Sequence, residues 1–411
     1  MKILQKSRID LLSLIIALIP ALAICGITST FILLAASLMF ICSNYDSSMK
    51  LKKVDWIYVA ILCSPLVSAV LSMLVCQNWE WKVVDKYMRY PLGAICFFLL
   101  LKRKSGTIDL TILKLGFYSA AVLGLLWASY QKLFLGVHLA GAGVFSITFG
   151  EVMTFIATIC ALEFGSSKCN RLIWRILFFV LAAFASIMSG AKGAWVAYPV
   201  LLWIVFDFYY QKNLAKQLTV FSLALLLTAS VFWSIPFSRN RIKQAVSDVT
   251  GYFTEEEFHP TSQGLRLMMW ETALDIAKDY PVFGVGASNV SSELIERCRN
   301  STRKATAGVE TYQYCLVHMH NDFFETLSGQ GFVGLISYFS CLFFSSIICF
   351  KSRNRYSKEM RLWIYIHLLM QVGFAIFSLT VCPRLAARDF LIAFCVLSFA
   401  ELRRDIYRIN P

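Results

Sequence analysis

Residues 11–27 have the sequence LLSLIIALIPALAICGI, and residues 28–41 follow at once with TSTFILLAASLMFI. Two apolar runs in close succession predict membrane-spanning helices and not a cleaved signal peptide. The rest of the chain has the same character, because 58% of its 411 residues are hydrophobic and only 16% are charged. Soluble domains contain about 25% charged residues, so soluble enzyme folds are excluded. We therefore expect an all-α polytopic membrane protein.

Windows of about 20 apolar residues predict twelve spans. Their centres lie near residues 18, 35, 65, 95, 119, 155, 180, 202, 227, 341, 371 and 395. Of the 39 basic residues, 22 lie in clusters on one side of these spans and seven in the short loops on the other. This bias predicts that the protein crosses a membrane many times and that both termini are cytoplasmic. The net charge of +14 thus reports orientation and predicts contact with membrane lipids, with no nucleic-acid partner.

Three segments follow from this topology. Residues 1–236 hold spans one to nine, residues 237–330 form a large periplasmic loop, and residues 331–411 hold spans ten to twelve with a short cytoplasmic tail. A loop of this length is usually functional or disordered. Here Thr261 or Ser262 is a candidate helix cap and Tyr280-Pro281 a stop signal, with a second helical stretch from about Asn321. Apolar residues between cap and stop have amphipathic spacing, namely Leu265, Met268, Met269, Ala273, Ile276 and Ala277. The loop is therefore expected to be partly helical.

Two cysteines of the loop, Cys298 and Cys315, could form a disulfide in an oxidising compartment. The alternative is two free thiols.

The sharpest motif is His320-Asn321, followed after nine residues by Gly331-Phe332-Val333-Gly334 at the start of the tenth span. A histidine of this kind is either functional or a structural residue with satisfied hydrogen bonds. Its position at a membrane interface, before a glycine pair that would let helices pack closely, favours a function. Asn321, Gly331 and Gly334 are the supporting residues of this interpretation.

A metal site is the competing interpretation of the same segment. His318, His320, Asp322 and Glu325 are ligand types, and the first three would share one face of a strand. Against a metal, the chain has only five histidines and a helix is expected near His320. We predict no metal and no other cofactor.

Several charged residues lie on the predicted periplasmic side. Arg266 is expected in the first turn of the loop helix, where it either binds an anion or is a solvated surface residue. Lys192 lies in the turn Ser-Gly-Ala-Lys-Gly-Ala-Trp between spans seven and eight. Arg388 opens the last span and either joins the site or pairs with Asp389. Glu151 is an intramembrane carboxylate expected to face a cavity.

Together these motifs resemble the lipopolysaccharide O-antigen ligase family, within the ligase and polymerase superfamily. The resemblance rests on the histidine motif, on the Arg-x-x-x-Trp helix that ends in Pro-x-x-Gly-x-Gly, and on the turn around Lys192. It implies a GT-C-like membrane glycosyltransferase that needs no nucleotide sugar. The donor would be undecaprenyl-pyrophosphate-linked O antigen, and the acceptor a sugar hydroxyl of lipid A-core. His320 matches the motif histidine and Arg266 the loop arginine, whereas Lys192 stands where the family usually has arginine.

The residue types suit this chemistry. Arg266, Lys192 and Arg388 could stabilise the negative charge of a departing pyrophosphate. A neutral imidazole at His320 could accept the proton of the acceptor hydroxyl, although it could also only orient a substrate. An in-line attack would invert the anomeric centre.

Three alternatives share part of the pattern. An O-antigen polymerase would use the same donor to join repeat units, and an oligosaccharyltransferase would often carry a large extra C-terminal region. A polysaccharide transporter or flippase would place ionisable sites near the midplane of the membrane. The candidate residues gather on the outer side instead, which favours an enzyme.

Overall fold

The computed structural model describes residues 11–26, 49–104, 108–164, 172–211, 213–234, 236–254, 261–299, 318–354, 356–379 and 385–409. Every regular element within these ranges is a helix. The helices are α1 (Leu11–Cys25), α2 (Lys53–Val75), α3 (Trp81–Leu101), α4 (Leu110–Leu133), α5 (Ser146–Cys160), α6 (Leu172–Ser189), α7 (Lys192–Tyr210), α8 (Leu214–Ser234), α9 (Pro236–Thr254), α10 (Ser262–Asp279), α11 (Val290–Arg299), α12 (Asp322–Ser352), α13 (Lys358–Ser378) and α14 (Leu385–Ile409).

The predicted class of an all-α polytopic membrane protein is confirmed. Six helices are long and apolar enough to cross a membrane, namely α2, α4, α6, α7, α12 and α13, while α1 and α5 are shorter apolar helices. Eleven of the twelve predicted span centres fall within helices, and the centre near residue 35 lies outside the described residues.

Helix α13 lies at the middle of the bundle, where it packs against α5, α7, α12 and α14. Its residues Ile364, Tyr365, Ile366, Leu369 and Met370 are fully buried and point in all directions around the helix. A helix that is apolar on every side is stable only when neighbours cover it completely. This central helix holds the other spans at fixed positions around it.

The predicted loop helix is confirmed as α10. The Thr261 side chain caps it by accepting a hydrogen bond from the Gly264 amide at 3.2 Å, and the helix ends one residue before Tyr280-Pro281. The amphipathic residues Leu265, Met268, Met269, Ala273, Ile276 and Ala277 are all buried. They form a small core with side chains from α9 and α11, two helices that sequence patterning did not single out. The loop thus packs as an ordered layer beside the spans.

Helix α12 begins at Asp322, nine residues before the predicted end of the outer loop. The helix therefore starts in the loop layer and continues into the bundle. Gly331 interrupts it with φ 62° and ψ −158°, a backbone conformation that is essentially restricted to glycine. The predicted boundary between loop and membrane falls at this break.

Candidate functional site

The His320 backbone has an unusual conformation for a residue with a side chain. Its φ is +50°, in the left-handed region that few residues other than glycine occupy. The His320 amide donates a hydrogen bond to Nδ1 of His318 at 3.1 Å, and the two ring centroids lie 4.0 Å apart. Such strain persists only where the surroundings hold the residue in place.

Met319, the residue before His320, is held from two sides. Its carbonyl oxygen accepts a hydrogen bond from the Trp270 indole N–H at 3.0 Å, and its amide donates to the Glu325 carboxylate at 2.9 Å. The Trp270 ring also stacks on Phe324, with centroids 5.6 Å apart. Trp270 is the last residue of the Arg-x-x-x-Trp motif, so this motif attaches α10 to the segment that carries His320.

Asn321 fixes the other side of His320. Its side-chain oxygen caps α12 by accepting hydrogen bonds from the amides of Phe323 at 2.9 Å and Phe324 at 3.2 Å. Its side-chain nitrogen donates to the Leu379 carbonyl at 3.1 Å, just after the end of α13. Because Asn321 is buried and uses both ends of its amide, it locks the start of α12 to the bundle.

The break in α12 is filled by the Pro-x-x-Gly-x-Gly segment that follows α10. The amide of Phe332 donates to the Pro281 carbonyl at 2.8 Å, and the amide of Val285 donates to the Ser328 carbonyl at 2.9 Å. A Cβ on Gly331 would lie 2.3 Å from the Val282 carbonyl oxygen. The sequence predicts that the glycine pair allows close packing between helices, and for Gly331 this prediction is wrong. Gly331 allows the backbone of a loop to approach α12. Gly334 packs against Gln330 and Thr326 of its own helix.

These contacts bring the arginine and histidine motifs together. The charge of Arg266 acts directly on the His320 imidazole, whose pKa is lowered to about 3 by burial, by His318 and by Arg266. Nδ1 of His320 is buried and has no hydrogen-bond partner within the described part of the chain. The structure therefore holds His320 as a neutral imidazole beside a cation.

Arg266 is the fifth residue of α10 and lies one residue past the first turn, close to its predicted position. The guanidinium is partly buried, and its closest described contact is the Gln263 side-chain oxygen at 3.4 Å. Burial lowers the pKa of Arg266, although arginine stays charged in proteins. A half-buried cation with so weak a contact is suited to binding an anion.

Arg388 does not pair with Asp389, which corrects one of the two expectations for it. Its guanidinium lies 3.1 Å from the Asp322 carboxylate, and both side chains are only 3–4% exposed. Asp389 instead forms an ion pair with Arg89 on α3, with 2.8 Å between its Oδ1 and the arginine Nε. The Tyr338 hydroxyl lies 3.2 Å from the Asp322 carboxylate. Asp322, next to Asn321, thus ties the start of α12 to α14.

Lys86 is a cation of this region that sequence reasoning counted only as a loop charge. It lies on the second turn of α3 and interacts electrostatically with Arg388, Asp322 and Glu325. The signal that could have found it was its position, since it lies five residues past the helix start, on the side of the membrane predicted for His320.

The turn that precedes Lys192 packs against Gly150, the residue before Glu151. Lys192 is the first residue of α7, and the turn before it packs on Gly150 so tightly that a Cβ there would lie 2.6 Å from the Ala191 methyl group. Glu151 is 1% exposed, and neither carboxylate oxygen has a hydrogen-bond partner within the part of the chain that is described. Its charge interacts with that of Asp322, which places Glu151 at the same end of the bundle as His320.

The predicted disulfide falls partly outside the described residues, because Cys315 is not among them. Cys298 is buried in the loop core, with its sulfur 3.6 Å from the Thr272 hydroxyl, and burial raises the pKa of its thiol. The pairing stays a prediction. The ligand types of the rejected metal interpretation are used otherwise, because Asp322 binds Arg388 and Glu325 binds the Met319 amide.

The fold and the site define a polytopic helical membrane protein with a histidine and an arginine held together beside one end of its bundle. Residues 177–339 match the family model described as O-antigen ligase. The matched region contains Lys192, Arg266, His320 and both motif glycines.

Two relatives align with this chain over similar lengths. The chain is 27% identical over 250 residues to an uncharacterized protein of Haemophilus influenzae, an alignment that covers 59% of this chain and 60% of the relative. It is 24% identical over 230 residues to an O-antigen ligase of Escherichia coli strain K12, covering 55% of this chain and 48% of the relative. The chain thus spans about half to three fifths of the length of the curated relatives it matches.

Proposed function

We propose that the protein is an O-antigen ligase of lipopolysaccharide biosynthesis. It transfers O-antigen polysaccharide from undecaprenyl pyrophosphate to a sugar hydroxyl of lipid A-core, at the periplasmic face of the inner membrane. The observation that carries the proposal is the 3.0 Å hydrogen bond from the Trp270 indole to the Met319 carbonyl, which ties α10 and its Arg266 to the segment that carries the partly buried His320. The family match and the excess of basic residues on the opposite side of the spans support the same assignment.

In this mechanism His320 accepts the proton of the acceptor hydroxyl. The hydroxyl oxygen forms a bond to the anomeric carbon as the bond from that carbon to the pyrophosphate oxygen breaks. The leaving pyrophosphate takes the electron pair, and the in-line geometry inverts the anomeric centre. Since the leaving group is a stable anion, the main requirement is cationic stabilisation, which Arg266 and Lys192 supply.

Other charged residues support this arrangement. Arg388 pairs with Asp322, so we assign it to holding the start of α12 in place, with any charge effect on the pyrophosphate exerted at a distance. Asn321, Gly331 and Gly334 shape the same helix start. Glu151 follows Gly150, on which the turn before Lys192 packs. The mechanism uses neither a metal nor a nucleotide, so transfer should persist in a chelator.

The test is a gel of lipopolysaccharide from a strain that lacks this gene, probed for core-linked and lipid-linked O antigen. Bare core with long polymer left on the carrier lipid supports a ligase. Core that bears a single repeat unit would indicate a polymerase, and a normal ladder would contradict both activities and favour transport.

Complementation of that strain then tests Arg266. Arg266→Ala should leave bare core, whereas Arg266→Lys should restore part of the ladder because it keeps the charge and loses the planar fork. Arg297→Ala is the matched control, since Arg297 lies in the same loop layer but pairs with Glu293 and Asp279 at the surface. A full ladder with Arg266→Ala would remove Arg266 from the mechanism.

A further inference from the structure

A cleft of about 740 Å³ opens at the end of the bundle opposite His320. Its position follows from α2. Cys76, just after the end of this helix, contacts Gly284 of the loop layer, whereas Lys50, Leu51 and Lys52, just before its start, line the cleft. The ends of α3 and α14 complete the walls. Six of the described residues that line the cleft are cations, and none is a carboxylate. The cations are Lys50, Lys52, Arg103, Lys104, Arg404 and Arg408.

The carboxylates nearest the cleft are already engaged. Asp55 accepts hydrogen bonds from the Arg403 guanidinium at 2.6 Å and from the Tyr407 hydroxyl. Glu401 lies 2.6 Å from Arg103 and 3.6 Å from Arg404. One carboxylate thus serves two guanidinium groups, and the cleft keeps a large excess of positive charge.

The like charges also act on one another. The positive charges of Arg103 and Arg408 both repel that of Arg404. Arg103 and Arg404 are buried. Repulsion between charges is strong where water is partly excluded. An anion in the cleft would relieve it, and guanidinium groups hold phosphate oxygens through paired hydrogen bonds.

The cleft lies at the depth expected for lipid headgroups. Trp56, in the first turn of α2, is 54% exposed on the outer surface of the bundle and lies 6.3 Å from the Phe98 ring. Exposed tryptophans of membrane proteins concentrate at the boundary between acyl chains and headgroups. The Lys52 ammonium lies 4.7 Å from the Tyr407 ring at the same level.

We propose that this cleft binds the phosphodiester headgroup of an anionic phospholipid from the leaflet opposite the His320 site. Positive charges that only set the orientation of a protein in the membrane need not line a cavity. These six cations line a cavity that is large enough for a lipid headgroup. Basic pockets between spanning helices bind anionic headgroups by this chemistry. The proposal is independent of the transferase mechanism, because it uses none of the residues at the His320 end.

The test is lipid binding to the full chain in detergent, measured by native mass spectrometry. Phosphatidylglycerol is titrated as the anionic probe and phosphatidylethanolamine as the zwitterionic one. The cleft variant carries Lys50→Gln, Lys104→Gln and Arg408→Gln, all at exposed positions that should not disturb folding. The control variant carries Lys216→Gln, Lys243→Gln and Lys351→Gln, which remove the same charge from exposed positions outside the cleft.

The wild type and the control should bind phosphatidylglycerol at least tenfold more tightly than phosphatidylethanolamine. The cleft variant should bind phosphatidylglycerol at least tenfold more weakly than the control. Equal binding by the two variants would overturn the proposal. Displacement of phosphatidylglycerol from the wild type by millimolar inorganic phosphate would show that the site takes a free phosphate, and would overturn its assignment to a lipid.

Discussion

The amide of Phe332 donates a hydrogen bond of 2.8 Å to the carbonyl oxygen of Pro281, across the break that Gly331 makes in α12. This bond joins the Pro-x-x-Gly-x-Gly segment to the glycine pair that follows His320-Asn321. The two motifs are about 50 residues apart in the sequence. The broken helix leaves amides without intrahelical partners, and the loop carbonyls satisfy them. His320 and Arg266 are therefore held on one rigid unit.

Gly331→Ala should disrupt this unit. The new methyl group would lie 2.3 Å from the Val282 carbonyl oxygen, and the backbone conformation is itself strained for alanine. We expect a clear loss of thermal stability and of the O-antigen ladder. Gly136→Ala is the control, because Gly136 has nearly the same φ of +63° but no atom within 4 Å of an added Cβ. Equal effects of the two variants would show that the loop contact is unimportant.

His320→Ala should lower the rate of transfer by about 10²–10⁴-fold, the usual contribution of a positioned general base. The variant should still insert into the membrane and unfold near the wild-type temperature, since the hydrogen bonds that hold Met319 and Asn321 do not involve the His320 side chain. Single-turnover transfer to lipid A-core measures the effect. His138→Ala, at an exposed position outside the site, should leave the rate unchanged.

The pH dependence of transfer should reflect the low pKa of His320. Because burial, His318 and Arg266 lower it from the ordinary 6.5 to about 3, the free enzyme keeps its base neutral well below pH 6.5. The acid limb of kcat/KM should therefore lie below pH 6.5. A bound pyrophosphate would favour the imidazolium, so the acid limb of kcat should lie at higher pH than that of kcat/KM. An acid limb of kcat/KM at pH 6.5 or above would contradict the assignment.

The same shift predicts a dependence of stability on pH. Between pH 6.5 and about 3 the unfolded chain binds a proton at His320 that the folded chain does not bind, so the unfolding temperature should fall as pH falls through this window. His320→Asn should reduce the slope, and His138→Asn should not. Thermal unfolding followed by tryptophan fluorescence at several pH values provides the measurement, and identical slopes for the two variants would contradict the burial of His320.

Asp322→Asn should destabilise the protein more than a substitution that breaks an ion pair at the surface. It leaves the Arg388 guanidinium buried without its carboxylate, a change that costs about 3–5 kcal/mol in comparable buried pairs. The double variant Asp322→Asn with Arg388→Met should recover much of this loss because it removes the stranded charge. The comparison is Arg297→Ala, at the surface of the loop layer, where about 1 kcal/mol or less is expected. No recovery in the double variant would show that the pair is not coupled.

Much of the fold could be predicted because it depends on local composition. Runs of about 20 apolar residues located eleven spans that fall in helices, and the cap at Thr261 with the stop at Pro281 located α10. The motif around His320 could be found for a related reason, since it is short and contiguous. Arg266 lies one residue past its predicted position in the first turn of α10, because the sequence left either Thr261 or Ser262 as the helix cap.

Other features could not be predicted because they depend on which helices become neighbours. Nothing near Arg388 in the chain shows that its carboxylate is Asp322, 66 residues away, and not the adjacent Asp389. The role of Gly331 was misjudged for the same reason, since its partner is a loop and not a helix.

The sequence by itself therefore determined the helical membrane class, the order of the spans, the loop helix and the residue types available for chemistry, because hydropathy and capping act over a few residues. Only the tertiary structure decided the pairing of Arg388 with Asp322, the docking of Pro281 into the break at Gly331, and the burial of His320 beside Arg266. Those contacts join segments that are distant in the chain, and they form only when packing excludes water and each buried polar group must find a partner.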